Sequence, residues 1–242
     1  MKRLWLALGF LTRLPVPRVA AGADDFAAAV RLYPLAGLAI GLGVAAAGCL
    51  GGMLDPWLGA FAGLAVWVGV TGALHLDGLG DLADGLGAAH GDRDRLLRVM
   101  ADPHLGSFGA VAITLQLLAK LVALHLLLPA DWPALLVIPA AARVGPLLWA
   151  RNLPPLRAHG LGATIAGAAR PRDIAGWLLL LAAAAVAMPL LLVTPLVLLA
   201  IGRWFRRRLG GVTGDAHGAG VELAEAALLL AFAAQAASRA IA

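Results

Sequence analysis

Long apolar runs separated by a few polar stretches set the pattern of this chain. Each run is close to the roughly 20 residues that a helix needs to cross a bilayer. Runs at about 33–54 and 57–76 are joined by a tight turn at Asp55-Pro56, and two more follow at about 108–128 and 133–149. The stretch 174–205 is too long for one crossing, and Pro189 and Pro195 offer a turn that splits it into two short helices. A last run covers about 221–240. Period-two alternation, the mark of a membrane β-barrel, is absent. The pattern predicts an all-α, polytopic membrane bundle: one membrane-embedded domain over residues 1–242, with about seven transmembrane helices, or six without the split near Pro189.

Composition agrees. The chain is 61% hydrophobic and 14% charged, with a mean hydropathy of +0.87, against about 25% charged residues in a soluble domain. The net charge of +5 does not point to nucleic acid, because of where the cations lie. With the N-terminus inside, the connections at 1–32, 77–107, 151–172 and 203–220 share one side. They hold every Lys and Arg except Lys120, Arg143 and Arg239. The opposite turns carry none, as the positive-inside rule predicts for a multi-pass inner-membrane protein with those connections in the cytoplasm. The start, MKRLWLALGFLTRLPVP, lacks a small-residue cleavage site and reads as an amphipathic segment at that surface. The lone Cys49 has no intrachain partner. Gly37, Gly41 and Gly48 on the first span would suit internal packing or self-association into a homo-oligomer.

Candidate chemistry sits in the polar connections. In HLDGLGDLADG, Asp77, Asp81 and Asp84 are spaced by four and three, so a helix would place all three on one face. Such a stripe repels itself unless a cation lies between the carboxylates, and charge at a membrane edge is costly and usually functional. All-oxygen donors favour Mg²⁺, with Mn²⁺ as an alternative, over zinc. A second acidic motif, GDAHGAGVELAE, holds Asp215 in a glycine-rich loop and Glu222 and Glu225 at the start of the last helix. On the same side as the aspartate stripe these acids read as functional rather than as a plain helix start, and one acid left free of metal, Asp84 among the candidates, could take the proton from an attacking hydroxyl. Asp102 in MADPHLGSFG has a turn role as its default and the metal site as its alternative, while His75 could orient a carboxylate or contact substrate. Arg13, in an otherwise apolar segment, is a candidate for binding an anionic substrate. Lys120 and Arg143 lie deeper, where such residues pair with an acid or face a cavity.

Taken together, FLTRLPVP, YPLAG, GALHLDGLGDLADG, MADPHLGSFG and GGVTGDAHGAGVELAE resemble, in order, the motifs of the cobalamin synthase family, the adenosylcobinamide-GDP ribazoletransferases. The resemblance implies a Mg²⁺-dependent inner-membrane enzyme with its site at the cytoplasmic edge. The ribose 3′-hydroxyl of α-ribazole, or of its 5′-phosphate, would attack the cobinamide-linked phosphorus of adenosylcobinamide-GDP and release GMP. It further implies Asp77, Asp81 and Asp84 as metal ligands, Asp215, Glu222 and Glu225 as the completing acids, Asp102 as an acid of the third motif and Arg13 as a diphosphate contact. CDP-alcohol phosphotransferases and intramembrane prenyltransferases use related aspartate clusters, but their spacings are not met here. A cation-coupled transporter would place acids at mid-span and show repeat symmetry, and neither is found.

Overall fold

The computed structural model describes residues 1–128 and 131–241. Its described residues form helices and connections without strands, save one isolated parallel bridge between Pro155 and Val212. Two short helices, α1 (Lys2–Leu11) and α2 (Ala23–Ala29), precede the first long helix, α3 (Tyr33–Gly52). Asp24 and Asp25 lie in the first turn of α2, and Asp25 meets Lys2 at 2.6 Å. Ala7 and Leu11 of α1 join Tyr33 and Ala36 in a small apolar cluster.

Next come α4 (Pro56–Thr71) and α5 (Leu74–Ala89), bent by 85° at a short break. After α6 (Arg93–Val99), the chain runs through α7 (Ser107–Leu127), then α8 (Trp132–Ala142) and α9 (Val144–Asn152), which meet at Arg143. A small helix, α10 (Leu161–Ile165), precedes α11 (Pro171–Ala184), α12 (Thr194–Arg208) and the longest helix, α13 (Gly214–Ile241).

Among the described residues, five helical stretches are long and apolar enough to cross a membrane, and the bent α4–α5 pair makes six. The helix expected from residue 174 is only the 14 residues of α11. At 1.5 Å per residue it reaches about 21 Å, short of a bilayer core of about 30 Å. The chain turns at 185–188 and then enters a 3₁₀ segment, Pro189–Val193, so the expected proline-marked turn is present.

The α8–α9 stretch is the most buried candidate span, while Leu115 and Leu118 of α7 and Leu196 and Leu199 of α12 present bare apolar surface, as lipid-facing positions do. Helix α3 packs between α4 and α8. A Cβ on Gly37 or Gly41 would fall about 2.5–2.6 Å from backbone atoms of α8, and one on Gly48 would strike Leu128. These glycines therefore serve packing within the chain.

Polar contacts separate the two ends of the bundle. At one end, the Arg206 guanidinium donates to the Asn152 carbonyl at 2.8 Å, and the Leu156 N–H and Val212 carbonyl pair at 2.9 Å. At the other, Arg239 reaches both carboxylate oxygens of Asp131 at 3.0 Å, and Trp57 stacks on His125 with centroids 3.8 Å apart. The connections at 151–172 and 203–213 thus share an end, opposite the Asp55 and Asp131 turns.

Candidate active site

The site begins at the corner between α4 and α5. Gly72 (φ 59°) and Ala73 (φ 58°) both adopt left-handed backbone, which ends α4 and redirects the chain. For alanine that conformation costs about 1–2 kcal/mol. Arg13 lies over the corner: its N–H donates to the Val70 carbonyl at 2.7 Å, and a Cβ on Gly72 would collide with its side chain. FLTRLPVP is therefore docked on the turn that aims the aspartate helix.

Helix α5 carries the three aspartates in one stripe, but their surroundings differ. Asp77 is exposed, Asp81 half-buried and Asp84 buried. The two Asp84 oxygens accept from the Gly106 N–H at 2.7 Å and the Gly109 N–H at 2.9 Å. Those amides open α7, whose cap residue Gly106 has no side chain of its own. Asp84 is therefore the missing cap, supplied from another helix, and it also meets the positive end of the α7 dipole.

Asp215 is brought to the stripe by close packing of α5 on α13. A Cβ on Gly78 would lie 2.6 Å from the Asp215 carbonyl oxygen. The expected loop position for Asp215 is corrected here: it occupies the first turn of α13. The Thr213 hydroxyl accepts from the Ala216 N–H at 3.1 Å, so the helix starts earlier than glycine content suggested. The Arg157 guanidinium stands 3.4 Å from the Asp215 carboxylate and also donates to the Leu97 carbonyl at 3.2 Å.

Electrostatics tie these acids together. Burial first, then Asp77, Asp215 and Asp84, pushes the Asp81 carboxyl up to about 7, against the pull of Arg157. Yet among the described residues no three His, Cys, Asp or Glu side chains form a group that could hold a metal by themselves. The three-carboxylate cage expected from the spacing is thus not closed, because Asp84 is turned to α7. The donors that remain, Asp77 and Asp81 with Asp215 across from them, still fit Mg²⁺, which usually takes one or two carboxylates plus waters and substrate phosphates.

Glu222 and Glu225 lie elsewhere. Both are buried and bound in an ion network inside the bundle, at 3% and 0% exposure. Lys120 meets Glu222 at 2.8 Å and Glu225 at 2.6 Å, Gln116 donates to Glu222 at 2.7 Å, and Arg143 meets Glu225 at 2.6 Å. Lys120 also sits 4.4 Å from the centroid of the Trp67 ring. Two cations balance two anions, and both Glu225 oxygens and Glu222 Oε2 are engaged, so these glutamates hold α7, α8 and α13 together rather than facing the aspartates.

The network does touch the site through His75. The Arg143 guanidinium, 3.3 Å from His75 Nδ1, has donors only, so Nδ1 accepts and the ring proton sits on Nε2. His75 and Arg143 line a cleft of about 200 Å³ whose wall also includes Asp77 and Asp215. A second, more polar hollow on the other side of Asp215 is lined by Arg157, His159 and the backbone around Gly160 and Gly214. Asp102 is not brought in: it is exposed and accepts from the His104 backbone at 3.0 Å, the turn role that was its default.

Arg157, Tyr33 and Thr213 were given no role from sequence. Arg157 is one of several arginines in a connection whose topology already explains basic residues. Thr213 was findable as a helix-start signal. Tyr33 is the chain's only tyrosine and stands in YPLAG.

A family model described as cobalamin-5-phosphate synthase matches residues 3–233. An adenosylcobinamide-GDP ribazoletransferase of Novosphingobium aromaticivorans is 55% identical over 238 residues, 96% of each chain. One of Thiobacillus denitrificans is 50% identical over 95% of this chain and 94% of its own. One of Laribacter hongkongensis is 49% identical over 95% and 96%. No solved structure matches.

Proposed function

The chain belongs to the cobalamin-5-phosphate synthase family, and on that footing we propose a reaction and a site for it. It is a membrane transferase of cobalamin biosynthesis, an adenosylcobinamide-GDP ribazoletransferase. A ribose hydroxyl of α-ribazole, or of its 5′-phosphate, attacks the cobinamide-linked phosphorus. The new O–P bond forms as the P–O bond to GMP breaks, and the hydroxyl proton passes to a carboxylate. Membership sets aside the CDP-alcohol and transporter readings.

The observation that carries the site is the convergence of Asp77, Asp81 and Asp215 from two helices beside a cleft, with Asp81 pushed up by burial and by its neighbours. Asp77 and Asp81 would hold Mg²⁺, or Mn²⁺ in its place. When bound, the cation offsets negative charge on the phosphates and on the leaving oxygen. Arg157 and the polar hollow beside Asp215 orient the diphosphate, with Arg13, over the α4–α5 corner, as a further candidate contact. Asp215 is the candidate base, since both Asp84 oxygens and the two glutamates are already engaged. The distribution of Lys and Arg supports a cytoplasmic face for this end, in the inner membrane.

The test is GMP release by purified protein in lipid, given adenosylcobinamide-GDP and α-ribazole, with and without Mg²⁺. Asp81→Asn is expected to abolish turnover while the protein stays folded. Wild-type protein that releases no GMP under Mg²⁺ or Mn²⁺ would sink the reaction. Full activity in Asp81→Asn would sink the site.

A further inference from the structure

The cleft beside Asp77 and Asp215 has features that phosphoryl transfer leaves unused. Tyr33, Arg143 and His217 all line it. Each holds buried polar atoms without a hydrogen-bond partner among the described residues: Tyr33 Oη, Arg143 Nε and both ring nitrogens of His217. Buried polar groups are normally satisfied, so three such residues around one space mark a place where a ligand supplies the partner. The rest of the wall is mostly apolar, including Leu74, Pro146, Leu161 and Ile165. The rings of Phe10 and Tyr33, both in this wall, stack on one another with centroids 6.1 Å apart at 21°. At about 200 Å³ the cleft is smaller than the roughly 300–1,000 Å³ that takes a drug-sized ligand, so it suits one bicyclic ring and not a corrinoid.

We propose that this cleft seats the base of the attacking nucleoside, an apolar benzimidazole-type ring with one free ring nitrogen. Seated there, it presents the ribose hydroxyl at Asp77 and Asp215. The inference rests on the reaction proposed above. Base and attacking hydroxyl are carried on one sugar, so the base must lie within a sugar's width of the acids, as the cleft does. Guanine fits less well. It sits a ribose and a phosphate away from the attacked phosphorus, farther than a base whose own sugar carries the attacking hydroxyl. Tyr33 Oη and a His217 N–H are the donors placed to meet a single ring nitrogen. The apolar part of the wall, Leu74, Pro146, Leu161 and Ile165, suits the hydrocarbon edge of benzimidazole better than the exocyclic amine of adenine.

The experiment titrates free α-ribazole into lipid-reconstituted protein by calorimetry, without corrinoid, beside steady-state kinetics for each substrate. Tyr33→Phe removes one oxygen, and Leu74→Trp, on the cleft wall but not in the polar hollow, narrows the space. Each is expected to weaken α-ribazole binding and raise its KM on the order of 10-fold, with the KM for adenosylcobinamide-GDP within about two-fold. The α-linked adenine nucleoside should bind more weakly than α-ribazole to wild type. A rise in the KM for adenosylcobinamide-GDP instead, or unchanged α-ribazole binding in both folded variants, overturns the assignment. Loss of GMP release by wild type would strike the reaction itself, whereas normal wild-type turnover with unchanged α-ribazole binding in the variants strikes only the subsite.

Discussion

Asp77, Asp81 and Asp84 share a residue type and a helix face, yet burial and neighbours give them three different states. Asp84 is held by two backbone N–H groups, Asp77 is solvated, and Asp81 is left between carboxylates. The Asp81 carboxyl titrates near 3.8 in an unfolded chain and is pushed up to about 7 in the fold. Between those values the native state binds the extra proton, so its stability falls as pH rises from about 4 to about 7. A divalent cation that binds only the ionised form reverses this above about pH 7. Mg²⁺ should therefore raise the thermal unfolding temperature more at about pH 8 than at about pH 6, and the gain should vanish in Asp81→Asn. Equal Mg²⁺ shifts at both pH values would argue against a cation at Asp81.

At the scale of elements, small residues decide how closely helices approach. Where Gly41 faces the α8 backbone, a larger side chain must force α3 and α8 apart. Gly41→Leu should lower stability by about 1–3 kcal/mol or more and reduce the yield of folded protein. Thermal unfolding in detergent reads this directly, and a wild-type melting temperature would refute the packing role. Helix existence was legible along the chain, because a run of apolar residues in lipid has to satisfy its backbone internally. Helix ends were less so. Asp215 was expected in a loop on the strength of its glycines, but Thr213 caps the helix and draws it in. The cap on α7 comes from a residue 22 positions earlier, which no local pattern reveals.

For the whole molecule, the buried network ties α7, α8 and α13 behind the cleft. Lys120→Met would leave two carboxylates with one cation, at a cost of about 3–5 kcal/mol, and unfolding temperature should drop sharply. Lys120→Met with Glu222→Gln, which restores neutrality, should recover much of the loss. Failure of the double variant to improve on the single one would show that charge balance is not what the network supplies.

The sequence alone determined the membrane class, the helical architecture and the polar motifs that hold the chemistry, because hydrophobicity and helical spacing act over a few residues and leave a periodic trace. Which acids stand together was decided only by tertiary structure. Asp81 and Asp215 stand 134 positions apart in the numbering, and their common field exists only once α5 lies on α13. Glu222 and Glu225, on the same helix as Asp215, turn instead toward Lys120 and Arg143. A carboxylate's role follows from the charges and donors around it in space, and these come from helices distant along the chain.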